Sequence, residues 1–156
     1  MPCEFINQNF KNLLMGKKAV LTVLVFSIVT LSFGQSKDQM AIRDLLAKQT
    51  KEWNVGNIAA FMNTYWKSDS LMFIGKSGVT YGWQKTMDNY KRNYPDTIAM
   101  GKLDFELLQV KRISAIYYFV VGKWHLTRSI GGMGGAFTLL LRKVSNQWVI
   151  VADHSS

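Results

Sequence analysis

Apolar and polar positions alternate along this chain at two different periods, and the change of period divides it. From Ser36 to Tyr94 apolar residues recur every three or four positions, the spacing of one helix face. Ile42, Leu45, Leu46, Gln49 and Trp53 share such a face, while Lys37, Asp38, Arg43, Asp44, Lys48 and Lys51 fall mainly elsewhere. Ser36 and Gln39 match a capping box, in which hydroxyl and amide satisfy two orphan backbone N–H groups. Gly56 suits the end of that helix, and Asn57 suits the N-cap of a second over 58–66, with Ile58, Phe61, Met62 and Tyr65 inward. Leu71 to Ile74 reads as a short strand, Gly75 to Gly78 as a turn, and Val79 to Tyr81 as a second strand. A third helix runs over 83–94, with Trp83, Met87, Tyr90 and Tyr94 in one stripe, and Pro95 stops it.

Beyond Lys102 the period falls to two. Strands are expected over 102–111, 115–128, 136–144 and 148–154. The glycines at 131, 132, 134 and 135 supply one hairpin loop, and Ser145-Asn146-Gln147 another turn. Short connections make these strands antiparallel neighbours. In the first, Leu103, Phe105, Leu107 and Gln109 share one side; Asp104, Glu106, Leu108 and Val110 share the other. In the second, Tyr118, Val120, Gly122, Trp124, Leu126 and Arg128 share one face, opposite Tyr117, Phe119, Val121, Lys123, His125 and Thr127. Both faces are largely apolar. The helices cover one, and a partner subunit is expected on the other. Helices first, then an antiparallel sheet, define an α+β domain.

Residues 1–34 stand outside this pattern. Lys17-Lys18 precede a 13-residue apolar run, Ala19 to Leu31, followed by the small residues around Ser32-Phe33-Gly34. That run is shorter than the ~20 residues of a membrane span and reads as a signal peptide cleaved before Gln35. Translation starting at Met15 would leave residues 1–14 upstream of it. The expected product, residues 35–156, is periplasmic or secreted, with no stable membrane association. Cys3, the only cysteine, would be absent from it, so no disulfide or thiolate metal site forms within one chain. The 156-residue chain carries a net charge of +9, and removing residues 1–34 takes away three Lys and one Glu, leaving +7. The basic pairs Lys91-Arg92, Lys111-Arg112 and Arg142-Lys143 are isolated, so no nucleic-acid partner is expected.

Candidate chemistry is sparse. Gly75-Lys76-Ser77 lacks the upstream glycine of a phosphate loop and is followed by Gly78. Two histidines without close carboxylate spacing give no metal set, and no cofactor is expected. Tyr65, Phe73, Tyr81, Trp83 and Trp124 supply an aromatic pocket lining suited to a small hydrophobic or aromatic ligand, or else they simply pack. Arg128 shares the parity of Trp124 and either receives an anionic group at the pocket mouth or stands in solvent. His154 shares the parity of Trp148, Ile150 and Ala152; it acts as an acid/base or ligand donor in the pocket, or ties down the last strand. Asp153 points oppositely, unless a bulge intervenes.

The element order resembles the nuclear transport factor 2-like superfamily, and within it the SnoaL-like small secreted domains. The resemblance rests on Trp53-Asn54-x-Gly56, on Tyr65 to Asp69, and on Phe73 through Tyr81-Gly82-Trp83. It continues in Gly122-x-Trp124-x-Leu126, in Gly134-Gly135-x-Phe137-Thr138-Leu139, and in Trp148-x-Ile150-Val151-x-Asp153-His154-x-Ser156. It implies a cone-shaped, cystatin-like curved antiparallel sheet packed on three N-terminal helices, with a pocket at the open end and a homodimer through the outer sheet face. Ketosteroid isomerase, a catalytic relative by fold, carries an aspartate base where Ile74 falls here. The function expected is therefore a ligand-binding domain without assigned catalysis, or else an isomerase, cyclase or hydrolase using His154. The fold hosts both kinds.

Overall fold

The computed structural model describes residues 36–156; the leader reading and Cys3 lie outside the described residues. Helix α1 spans Lys37–Asn54 and begins with the expected capping box: Ser36 accepts from the Gln39 N–H, and the Gln39 side chain accepts from the Ser36 N–H. Its buried face is Ile42, Leu46, Gln49 and Trp53. Helix α2, Ile58–Met62, is capped by Asn57 and is shorter than its periodicity predicts. The chain leaves the helix because Tyr65 forms a parallel bridge with Ile150, and the Trp66 N–H donates to the Ile150 carbonyl. Tertiary pairing thus overrides local propensity.

Strands β1 (Met72–Gly75) and β2 (Gly78–Tyr81) form a hairpin, followed by helix α3, Trp83–Asn93. A fourth, short helix, α4 (Thr97–Met100), adds to the three expected; Asp96 caps it through the Ala99 N–H at 2.8 Å. Strands β3 (Lys102–Arg112), β4 (Tyr117–Thr127), β5 (Met133–Val144) and β6 (Gln147–Ser155) complete a six-stranded sheet of order β2-β1-β6-β5-β4-β3. All pairs are antiparallel except β1 with β6, which is parallel. The architecture is the α+β, curved-sheet one read from the sequence, with this one pairing different.

Two bulges bend the sheet and reset its parity. On β3, Leu107 pairs with Gly122 and Gln109 with Val121, so Leu108 is extra. Val110 consequently turns inward beside Leu103, correcting its expected outward side; Gln109 and Leu108 are exposed. On β6, Ile150 pairs with Leu141 and Ala152 with Leu140, so Val151 is extra. Each bulge inserts one unpaired residue and increases local twist. Gly122, beside the first bulge, is enforced by packing: a Cβ there would lie 2.5 Å from the Phe137 ring and 2.8 Å from the Glu106 carbonyl oxygen.

The core lies between the helices and the inner face of the sheet. Ile42, Leu46, Met62, Leu71, Tyr118, Val120, Leu126, Leu141 and Ile150 are its most deeply buried apolar members. The parity read for β4 holds: Tyr118, Val120 and Leu126 are buried, while Lys123, His125 and Thr127 are exposed. Asn54 ties the end of α1 to β3, accepting from the Leu103 N–H and donating to its carbonyl at 3.1 Å.

Candidate functional site

The inner face does not fill completely. A cavity of about 530 Å³ lies between the second half of α1, helix α3, the β1–β2 hairpin and the ends of β3 to β6. Its walls are aromatic. Trp53, Phe61, Phe73, Tyr90 and Tyr94 pack edge-on and stacked around it, with centroids between 4.8 and 6.1 Å apart. Phe105, Trp124 and Phe137 close the sheet side, Phe105 and Phe137 lying 5.1 Å apart. This is the composition of a small-molecule cleft: a mostly apolar wall with few polar anchors.

The polar anchors converge on Asp153. Its carboxylate is 5 % exposed and receives the Tyr65 hydroxyl at 2.7 Å and the Ser155 hydroxyl at 3.0 Å. Burial pushes its pKa up from 3.8 to about 6, although the Tyr65 and Ser155 bonds and the charge of His154 pull the other way. Burial, reinforced by the negative charge of Asp153, pushes the phenols of Tyr65 and Tyr90 well above their ordinary range. Burial also raises Tyr94. The phenols are therefore hydrogen-bond donors at neutral pH, and Asp153 is a mainly ionised carboxylate that takes up its proton near pH 6. Gln49 and Thr86 also line the cavity; the Gln49 amide donates to Thr64 at 2.7 Å and the Thr86 hydroxyl to the Gly82 carbonyl at 2.9 Å.

Of the seven side chains expected to line a pocket, Tyr65, Phe73 and Trp124 are brought together here. Tyr81 does not join them; it lies on the hairpin's outer side and is 61 % exposed. Trp83 packs against the core from α3, donating its indole N–H to the Met62 carbonyl at 2.9 Å, with the Lys67 ammonium 5.2 Å from its ring. Arg128 is held by backbone carbonyls, donating to Gly131 of its own loop at 2.9 Å and to Ala99 of α4 at 3.4 Å, and it is not among the cavity's lining residues. His154 is exposed and outside the cavity. The cause is the bulge at Val151: two residues, not one, separate the inward Ile150 from the inward Asp153, so the residue expected to face away faces in. Asp153, Tyr90, Tyr94, Trp53, Phe61, Phe105 and Phe137 also line the cavity and stood outside that expected set. Tyr90 and Tyr94 carried a signal in their helical stripe, and an aspartate ending the apolar run Val149-Ile150-Val151-Ala152 was the sign of Asp153.

No family model matches the chain, and no curated protein matches it. Solved structures do. A protein of unknown function from Shewanella oneidensis, described as NTF-2 like, is 39 % identical over 76 % of this chain and 98 % of its own, with a TM-score of 0.74. A domain of unknown function with a cystatin-like fold from Nostoc punctiforme is 15 % identical, covering 79 % of this chain and 78 % of its own, with a TM-score of 0.65. A ketosteroid isomerase-like protein from Erwinia carotovora is 19 % identical, covering 78 % and 96 %, with a TM-score of 0.61. The latter two share the fold. The identity and coverage of the Shewanella protein, together with the bent sheet, its helical cover and the aromatic hollow between them, make this chain a member of the nuclear transport factor 2-like family.

Proposed function

We propose that the chain is a ligand-binding domain whose cavity takes a small, flat, largely apolar molecule with a hydrogen-bonding group directed at Asp153 and Tyr65. The observation that carries this reading is the aromatic cavity of about 530 Å³ with Asp153, Tyr65 and Ser155 converging in its lining. That size lies within the ~300–1,000 Å³ of ligand sites. The ligand acts outside the cytoplasm, as the leader suggests. A second copy covers the outer sheet face, where Phe119, Val121, Leu140, Val149 and Val151 are only half-buried. The test is a thermal-shift screen of flat aromatic and alicyclic compounds on the protein and on Phe73→Trp, which fills part of the hollow. Hits that stabilise the first and not the second support the reading; hits indifferent to the substitution, or none, remove it. Sedimentation of the purified protein as a monomer at micromolar concentration would remove the dimer.

A second reading is an enzyme that moves a proton on such a ligand, with Asp153 in place of His154 as acid/base. It is favoured by a cavity carboxyl whose pKa is raised to about 6 beside a tyrosine donor. A base is most useful when its pKa lies near the working pH. Exchange of a carbon-bound hydrogen of a screening hit for deuterium, abolished by Asp153→Asn with binding retained, would establish it. Exchange no faster than in buffer would discard it.

A further inference from the structure

The cavity has a polarity from floor to mouth. Asp153 is the single acidic side chain among its lining residues, and it is buried; the two cationic side chains in the lining, Lys76 and Arg92, are exposed. The register fixes their order. Phe73 pairs with Asp153 in the β1–β6 ladder, and Lys76 lies three residues further along, in the hairpin turn, about 10 Å away. Arg92 arrives from the last turn of α3 and is braced there. Its guanidinium donates to the Asn89 side chain at 3.1 Å, and Asn89 donates to Thr80 of β2 at 3.2 Å. Helix and hairpin are thus linked beside the two exposed cations of the lining, whose exposure marks this side as the mouth.

We propose, resting on the ligand-binding reading above, that this site selects amphipathic carboxylic acids. The acid group sits at the mouth between Lys76 and Arg92, and a neutral, flat body points inward with its far end toward Asp153 and Tyr65. An anionic group is excluded from the floor, where it would lose its water and face Asp153 with both lining cations out at the mouth. At the mouth it keeps part of its hydration and gains two positive charges. The span of about 10 Å along β1 from the level of Asp153 to Lys76 is about the length of a two-ring aromatic acid with its carboxylate outward.

The test uses an isosteric pair, 2-naphthoate and 2-naphthamide, which differ in charge and little in shape. Binding to the purified protein is followed by calorimetry at low salt, about 0.02 M, and again at about 0.5 M, where the screening length falls to about 4 Å and exposed charge pairs are strongly weakened. Naphthoate is expected to bind about tenfold more tightly than naphthamide at low salt, a ratio equivalent to ~1.4 kcal/mol, with the ratio falling toward unity at high salt. In the double variant Lys76→Gln/Arg92→Gln the low-salt ratio is expected to fall below about twofold, with the melting temperature checked to confirm folding. Equal binding of the two compounds, or a ratio that survives in the double variant, overturns the selectivity and leaves the pocket intact. Failure of both compounds to bind overturns the pocket reading along with it.

Discussion

At one end of the sheet's inner face, Tyr118, Val120, Leu141 and Ile150 are almost wholly buried under the first half of α1. Tyr118 packs edge-on against Trp148 at 5.1 Å and bonds the Ser36 hydroxyl at 3.1 Å; Lys143 pairs with Asp38 at 2.9 Å over them. At the other end, the same strands present Phe105, Trp124 and Phe137 to a hollow. The difference lies in what each strand offers across the ladder. Tyr118 faces Leu141, whereas Trp124 faces Gly135, which supplies no side chain. The helices differ too: the first half of α1 offers Ile42 and Leu46, and the second offers Gln49 and Trp53, held away by edge contacts with Tyr90 and Tyr94. One continuous sheet therefore serves as core at one end and as the wall of a cavity at the other.

The contrast has measurable consequences, and the largest tests the filled end. Leu141→Ala should cost about 2–5 kcal/mol, because close-packed neighbours cannot collapse into the space. Trp124→Ala should cost less than about 3 kcal/mol, below the usual range for a buried aromatic, because one side of that ring already faces a void. Denaturant titration of both variants measures the difference; equal losses would mean the two ends are packed alike.

A pH titration of stability sharpens the hollow end. Asp153 binds its proton more tightly folded than unfolded, its pKa rising from 3.8 to about 6 through burial. Its contribution is full below about pH 4 and is lost as pH rises to about 6, a fall of about 3 kcal/mol. Asp153→Asn lacks this transition. The wild-type stability minus that of the variant should therefore decline across pH 4 to 6 and stay level above.

At the boundary between the two ends, Gly122→Ala should cost about 1–3 kcal/mol, since Phe137 must move off the strand to admit a methyl group. The smallest effect is expected at His154. His154→Ala should change stability by less than about 0.5 kcal/mol and leave ligand affinity as it was, because the imidazole is exposed outside the cavity. A large loss of binding in this variant would return the histidine to the site.

Much of the scaffold was legible because its signals are local. Ser36, Gln39 and Asn57 announce helix starts, and the stripes of α1 and α3 and the alternation of β4 follow from period alone. What was not legible depends on pairing. Leu108 and Val151 are ordinary apolar residues, and nothing in their identity marks them as extra; only the register with β4 and β5 does. Every parity assignment beyond them was inverted, which is why Val110 and Asp153 were placed outward and His154 inward. Tyr65 was found for its place on an apolar face, yet it reaches the cavity from a bridge to Ile150 and not from a helix. Arg128 was read from parity at a strand's end, where the carbonyls of Gly131 and of Ala99 in α4 claim it first.

The bulge at Val151 also makes pairing register a determinant of what the hollow displays. Paired regularly, the same sequence would turn an imidazole inward, soft and switchable; with Val151 looped out of the ladder it turns in an acid. A relative whose last strand entered the ladder without that loop would exchange one group for the other with every residue unaltered. Within this architecture a slip of alignment between strands, as much as a substitution, changes the chemistry on offer.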